Sequence, residues 1–145
     1  MANSTISSIG GVIHGNWDDE FFVSAYGNAS EKAGSLVGIS AAGAIVECGS
    51  AGTDDEFVGI VVGAYDTDLD TAIATTSLCT IVIPQSGHLY GVLTDDLSTA
   101  GAGEPLIHSN TDGQLKAGGN IEAEHVARKY KATSGDTVAI VIWGV

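Results

Sequence analysis

Basic side chains are nearly missing from this 145-residue chain. Five Lys and Arg stand against eighteen Asp and Glu, a net charge of −13. That balance argues against nucleic-acid binding, because phosphate contact is made by Lys and Arg. Long apolar runs are missing too. No stretch approaches the roughly 20 residues needed to cross a bilayer. No basic segment followed by a long apolar one opens the chain, so neither a membrane span nor a signal peptide is expected. Cysteine occurs twice, at Cys48 and Cys79, each in or beside an apolar run. A secreted disulfide framework carries more, and the spacing shows no paired zinc-ligand signature, so both are expected as buried free thiols. Proline also occurs only twice, and no segment sustains a long 3.6-residue apolar period, which leaves long helices without support.

What is present favours strands. Glycine numbers 20, nearly double its average share of roughly 7%, and Val, Ile and Thr are abundant. Two segments follow one grammar. Ala33-Gly34-Ser35-Leu36-Val37 runs through Ser40 to Gly43-Ala44-Ile45-Val46, and Ala102-Gly103-Glu104-Pro105-Leu106 runs through Ser109 to Gly113-Gln114-Leu115. Each reads as a hairpin, with apolar alternation on both sides of a turn that tolerates positive φ. Val58-Gly59 and Val126-Ala127 follow at matching places. Residues 33–63 and 102–130 are therefore either an internal duplication or the coincidence of a Gly- and Ala-rich chain. Strands are expected near 35–39, 44–48, 57–63, 78–83, 88–93, 105–108, 114–116, 124–130 and 136–143. Phe57 to Val62 and Thr137 to Ile142 are almost continuously apolar, as strands covered on both faces would be. Pro84 should end a strand, and Thr94 to Ser98 could open a short helix. The fold class is all-β: a compact barrel or sandwich body of short strands and hairpins over residues 17–145.

Residues 1–16 read differently. They are Ser, Thr, Asn, Ile and Gly with almost no charge, and Ile6, Ile9, Val12 and Ile13 are too sparse for a core face. They are expected as an extended N-terminal arm that orders against a partner. Ten extended residues reach roughly 33 Å. Trp17, Phe21 and Phe22 follow, three of nine aromatic residues. They are either rings capping one end of the core or anchors at a protein interface. Charge is uneven along the chain. Residues 1–115 carry fifteen acids and one base, Lys32, whereas residues 116–145 carry four bases and three acids. Arg128-Lys129-Tyr130-Lys131 is the one basic cluster, either a solvated strand end or a pole that docks an acidic partner.

Catalytic grammar is thin. Asp66-Thr67-Asp68-Leu69-Asp70 opens like a calcium loop, but Thr71 stands where Gly is needed and Ser77 where Glu is needed, so a solvated acidic loop is the plainer reading. His14, His88, His108 and His125 lie far apart in sequence. No Gly-x-Ser-x-Gly elbow and no phosphate-cradling loop occurs. No catalytic residues, metal or cofactor are expected.

The order of features from Gly34 to Tyr90 resembles the head decoration (cement) proteins of tailed viruses, of the lambda type. Leu36-Val37-Gly38-Ile39 pairs with Ala44-Ile45-Val46-Glu47. A Gly/Asp loop, Phe57 to Val62, an Ala/Asp/Thr-rich loop, Leu78 to Ile83 and Ser86-Gly87-His88-Leu89-Tyr90 follow. The second half, from Ala102-Gly103 through Gly113-Gln114-Leu115-Lys116 to Val138–Val145, is similar to related capsid cement proteins. The chain departs from them in its acidity and its longer first segment. The resemblance implies a virion protein, assembled in the host cytoplasm, that sits on the outer capsid surface as homotrimers at three-fold positions. It binds the major capsid protein and stabilises the expanded shell. The arm would order along the shell, which makes Ala2, Asn3, Ser4, Thr5, Ile6, Ile9, Val12, Ile13, Trp17, Phe21 and Phe22 the expected capsid contacts. The alternatives are a trimeric β-barrel enzyme or ligand- or metal-binding protein using Asp66, Asp68, Asp70 or His88, and a surface adhesin.

Overall fold

The computed structural model describes residues 11–14, 20–48, 57–95, 97, 101–109, 113–117, 126–132 and 138–145. They form eleven strands, and no helix occurs among them. The strands are β1 (Gly11–His14), β2 (Phe21–Tyr26), β3 (Leu36–Ile39), β4 (Ile45–Glu47), β5 (Gly59–Ala64) and β6 (Leu78–Ile83). They continue as β7 (Leu89–Asp95), β8 (Pro105–His108), β9 (Leu115–Ala117), β10 (Ala127–Ala132) and β11 (Val138–Trp143). The all-β reading of the sequence is correct, and each of the nine expected strands overlaps one of these.

The strands build two sheets of the same design. The N-terminal sheet runs β2-β6-β5-β3-β4, and a single parallel bridge between Tyr26 and Ala44 joins its ends. The C-terminal strands run β7-β11-β10-β8-β9, and parallel pairing of Thr94 and Asp95 with Leu115 and Lys116 closes them into a five-strand barrel. The registers agree pair by pair. Val61 faces Ile81 and Gly63 faces Thr80, as Lys129 faces Val141 and Lys131 faces Ile140. Each ladder therefore skips one residue at the same place, Val62 in β5 and Tyr130 in β10, which is a β-bulge. Loop bonds agree as well. Gly34 N donates to Val61 O and Gly103 N to Lys129 O, while Val58 N donates to Val37 O and Val126 N to Leu106 O. The hairpin turns before β4 and β9 place Gly43 at φ 81° and Gly113 at φ 68°, the left-handed region where a Cβ is costly.

Alternation along the strands decides what each sheet covers. In the N-terminal sheet, Ala25, Val37, Ile45, Val61, Cys79 and Ile81 point to one face and bury each other, with Ile73 from the β5–β6 loop. The opposite face carries the row Leu36, Ile60 and Val82, paired across β3, β5 and β6. These three belong to the same buried cluster as Tyr90, Val92, Leu106, Leu115, Val141 and Trp143 of the barrel. Burial on both faces is why Ile60, Val61 and Val82 show no polar alternation. Phe57 stacks on Trp143 at 5.2 Å between ring centroids and extends this shared core.

Two expectations need correction. Residues 11–14 do not belong to a free arm. They form β1, antiparallel to β7 of the same chain, with Gly11 opposite Gly91 and Val12 opposite Tyr90. The physical reason is that β9 covers the edge of β7 only at Thr94 and Asp95, leaving Leu89–Gly91 for another strand. Thr94 does not open a helix either: it and Asp95 complete β7 and the barrel closure.

Candidate binding face

Most exposed large apolar side chains among the described residues lie on one ribbon. Phe21 (64%), Phe22 (37%), Tyr26 (49%), Leu78 (55%) and Ile83 (37%) are on β2 and β6, while Tyr65, Tyr130 and Val145 are exposed elsewhere. The strands face each other in register, Phe21 opposite Ile83, Phe22 opposite Val82 and Tyr26 opposite Leu78. Alternation puts Phe22, Ser24 and Tyr26 on the face away from the N-terminal sheet's own core, since Ala25 and Cys79 point into it. Tyr26 and Leu78 thus form an exposed cross-strand apolar pair. A sequence of alternating Phe, Ser and Tyr on a paired strand fixes this display, and nothing charged interrupts Phe21 to Tyr26.

Of the capsid contacts expected from sequence, Ala2, Asn3, Ser4, Thr5, Ile6, Ile9 and Trp17 lie outside the described residues. Val12 and Ile13 lie in β1. Phe21 and Phe22 are both exposed, on opposite faces of β2. Tyr26, Leu78 and Ile83 were missed. Their signal was the pairing of two strands far apart in sequence, Phe21 with Ile83 and Tyr26 with Leu78, which a linear reading does not hold.

Beside the ribbon sits a buried polar cluster. Glu20, just ahead of β2, has a fully buried side chain. Tyr90 donates its hydroxyl to Glu20 Oε2 at 2.7 Å, and His88 Nδ1 bonds Glu20 Oε1. Tyr90 also accepts a bond from Gln85 N at 2.8 Å. Burial pushes the Tyr90 phenol well above its ordinary value. The bond from Gln85 N lowers it, and the Glu20 carboxylate raises it further. Both oxygens of Glu20 are engaged and the phenol keeps its proton, so the trio holds β2 to β7 rather than offering a base to a substrate.

The remaining candidates are similarly tied. Asp66 accepts from Ser77 Oγ at 2.9 Å and from Thr67 Oγ1, which makes it a loop fastener. Asp68 and Asp70 are exposed, and no group of three His, Cys, Asp or Glu positioned to hold a metal occurs among the described residues. Cys48 and Cys79 are free and buried. Cys48 Sγ lies 4.0 Å from His108 Nδ1, but at 1% exposure the sulfur is closed to a substrate. Cys79 donates to Ala25 O at 3.2 Å, and burial raises its pKa. Arg128 holds carbonyl oxygens of Gly103 and Val145, and Lys129 Nζ holds Leu97 O. These two members of the basic cluster serve the barrel's own loops.

The fold and this ribbon define an all-β body built of two like halves, with exposed aromatic residues on both faces of β2. No protein-family model matches the chain, and no curated protein matches it.

Proposed function

We propose that the chain is a structural clip, a capsid decoration (cement) protein that adheres as trimers to the outside of an expanded viral shell and opposes its rupture. The observation that carries this reading is the uncharged aromatic ribbon of Phe21, Phe22 and Tyr26 on an otherwise strongly acidic chain. Aromatic residues of this kind dominate interface energetics when they fill pockets on a partner. A stiff two-sheet body with a shared core supports the same reading, because a clip transmits load between the subunits it bridges. Binding only the expanded lattice stabilises that lattice by mass action, and attachment at several points adds effective concentration. Residues 2–9 supply the arm in this reading, with Trp17, Phe21 and Phe22 at its root, and the major capsid protein is the partner. No catalytic step is involved.

The test is co-sedimentation of the purified chain with empty expanded shells and with unexpanded ones. The full chain is expected to pellet only with the expanded form. Removal of residues 1–10, or the double change Phe21→Ser and Phe22→Ser, is expected to reduce binding at least tenfold. Equal binding to both shell forms, or full binding after both changes, overturns the reading.

A further inference from the structure

The ribbon of β2 and β6 shows an exposed apolar pair on each of its two faces. The ladder runs from Phe21–Ile83 to Tyr26–Leu78 without a shift in register, so alternate residues of each strand point to opposite sides. Phe21 and Ile83 share the side of Val23, Ala25, Cys79 and Ile81, which pack in the N-terminal sheet's own core. They stand at the end of that core and stay exposed. Tyr26 and Leu78 point the other way. On that side Val82 is buried with the barrel's interior. The cover does not reach the far end, where Ser24, Tyr26, Leu78 and Thr80 are all exposed. The two pairs therefore lie back to back, roughly 17 Å apart along the strands.

Neither strand carries a charged residue: β2 reads FFVSAY and β6 reads LCTIVI, on a chain of net charge −13. Aromatic side chains without charge are the signature of the buried centre of a protein interface. An uncharged contact also spares an acidic molecule the cost of stripping water from its carboxylates. One flat surface cannot cover both pairs, since covering one side of a sheet leaves the other side in water. Two partners can, one against each side.

We propose that β2 and β6 bridge two neighbouring shell subunits, with Phe21 and Ile83 seated in an apolar pocket of one and Tyr26 and Leu78 in an apolar pocket of the next. The inference rests on the shell reading and adds to it where the chain holds on and to how many subunits. Charge selects the chemistry of both pockets: they are uncharged and apolar rather than basic, although the chain as a whole is acidic. Each pair alone is a small anchor. A stiff ribbon that holds two anchors at a fixed spacing makes the second contact intramolecular, so affinity rises well above that of either one. The fixed spacing has a second consequence. Both pockets are filled only in a lattice that sets its subunits at the matching distance, which ties full attachment to one state of the shell.

The experiment measures co-sedimentation of three full-length forms with empty expanded shells: the unaltered chain, Phe21→Ser with Ile83→Ser, and Tyr26→Ser with Leu78→Ser. All four positions are exposed, and circular dichroism checks that each form folds. Each double change is expected to lower attachment at least tenfold, because each removes one of two linked contacts. Attachment of the unaltered chain is expected to persist at high salt, where a contact with a basic surface is screened. A photoreactive phenylalanine analogue at position 21 or position 78 keeps an apolar side chain, and the two positions are expected to crosslink to different segments of the shell subunit. Full attachment after either double change, attachment lost at high salt, crosslinks from both positions to one segment, or crosslinks that join two copies of this chain overturn the bridge while the shell reading stands. An unaltered chain that pellets with no shell overturns the shell reading and the bridge with it. If a serine variant fails to fold, the crosslinks decide.

Discussion

Tyr90, on the barrel strand β7, donates its hydroxyl to the buried carboxylate of Glu20, at the entrance to β2, at 2.7 Å. The bond ties the start of the N-terminal sheet to the barrel, and its energetics are testable by pH. Because burial raises the phenol's pKa, the folded chain keeps a proton that the unfolded chain releases near the ordinary phenol value of about 10. Stability from this group is therefore complete below about pH 10 and falls as pH rises above it. In Tyr90→Phe that alkaline decline is expected to be shallower. At neutral pH the variant should lose about 1–3 kcal/mol, since Glu20 and the Gln85 amide each lose a buried partner. Denaturant titrations at neutral and alkaline pH measure both effects, and a variant with the full alkaline slope would count against this role for Tyr90.

Gly43 and Gly113 occupy matching turns but not matching space. A Cβ on Gly43 would meet nothing within 4 Å, whereas on Gly113 it would come 2.8 Å from Glu31 Oε2 and 3.2 Å from Leu36 O. Both have positive φ. Gly43→Ala is expected to cost about 1 kcal/mol from backbone strain, and Gly113→Ala clearly more. Equal losses in the melting curves of the two variants would show that the contact with the N-terminal sheet is unimportant.

Leu36, Ile60 and Val82 belong to one cluster with the barrel's interior, so the two halves should unfold together. Calorimetry is expected to give a single transition. Leu36→Ala should lower its stability by about 2–5 kcal/mol without splitting it. Two resolved transitions in the unaltered chain would mean that the halves are energetically separate.

The thiols offer a simpler check. Cys48 and Cys79 are each 1% exposed, and burial raises the Cys79 pKa, which lowers its thiolate fraction. Neither is expected to react with a thiol reagent in the native protein at neutral pH, and both should react in denaturant. Rapid native labelling of Cys79 would contradict the packing of β6 against β2.

Much of the fold was legible because period-two alternation and glycine turns are local signals. The tips at Gly43 and Gly113 need positive φ, and the runs around Ile60 and Ile140 lack polar alternation because both faces are covered. Two elements escaped. Gly11–His14 looks like a loose arm in isolation, since four residues with little charge carry no core face. It becomes a strand only because β7 leaves an edge for it. Thr94 and Asp95 carry a helix-cap signature that the pairing with β9 overrides. Two of the five ribbon residues were legible in the cluster of Phe21 and Phe22. Tyr26, Leu78 and Ile83 join it only through the pairing of β2 with β6.

By itself the sequence determined the class of the molecule: an acidic, glycine-rich chain of short strands, with Phe57 to Val62 and Thr137 to Ile142 as its strongest runs. Those features depend on neighbouring residues, so they can be read along the chain. Only the tertiary structure decided that the halves share one strand order and one bulge position, that Leu36 joins a barrel 70 residues further on, and that β7 takes β1 along its edge at Leu89–Gly91. Strand pairing is a contact between distant residues, and the open side of an edge is set by which strands are already occupied elsewhere.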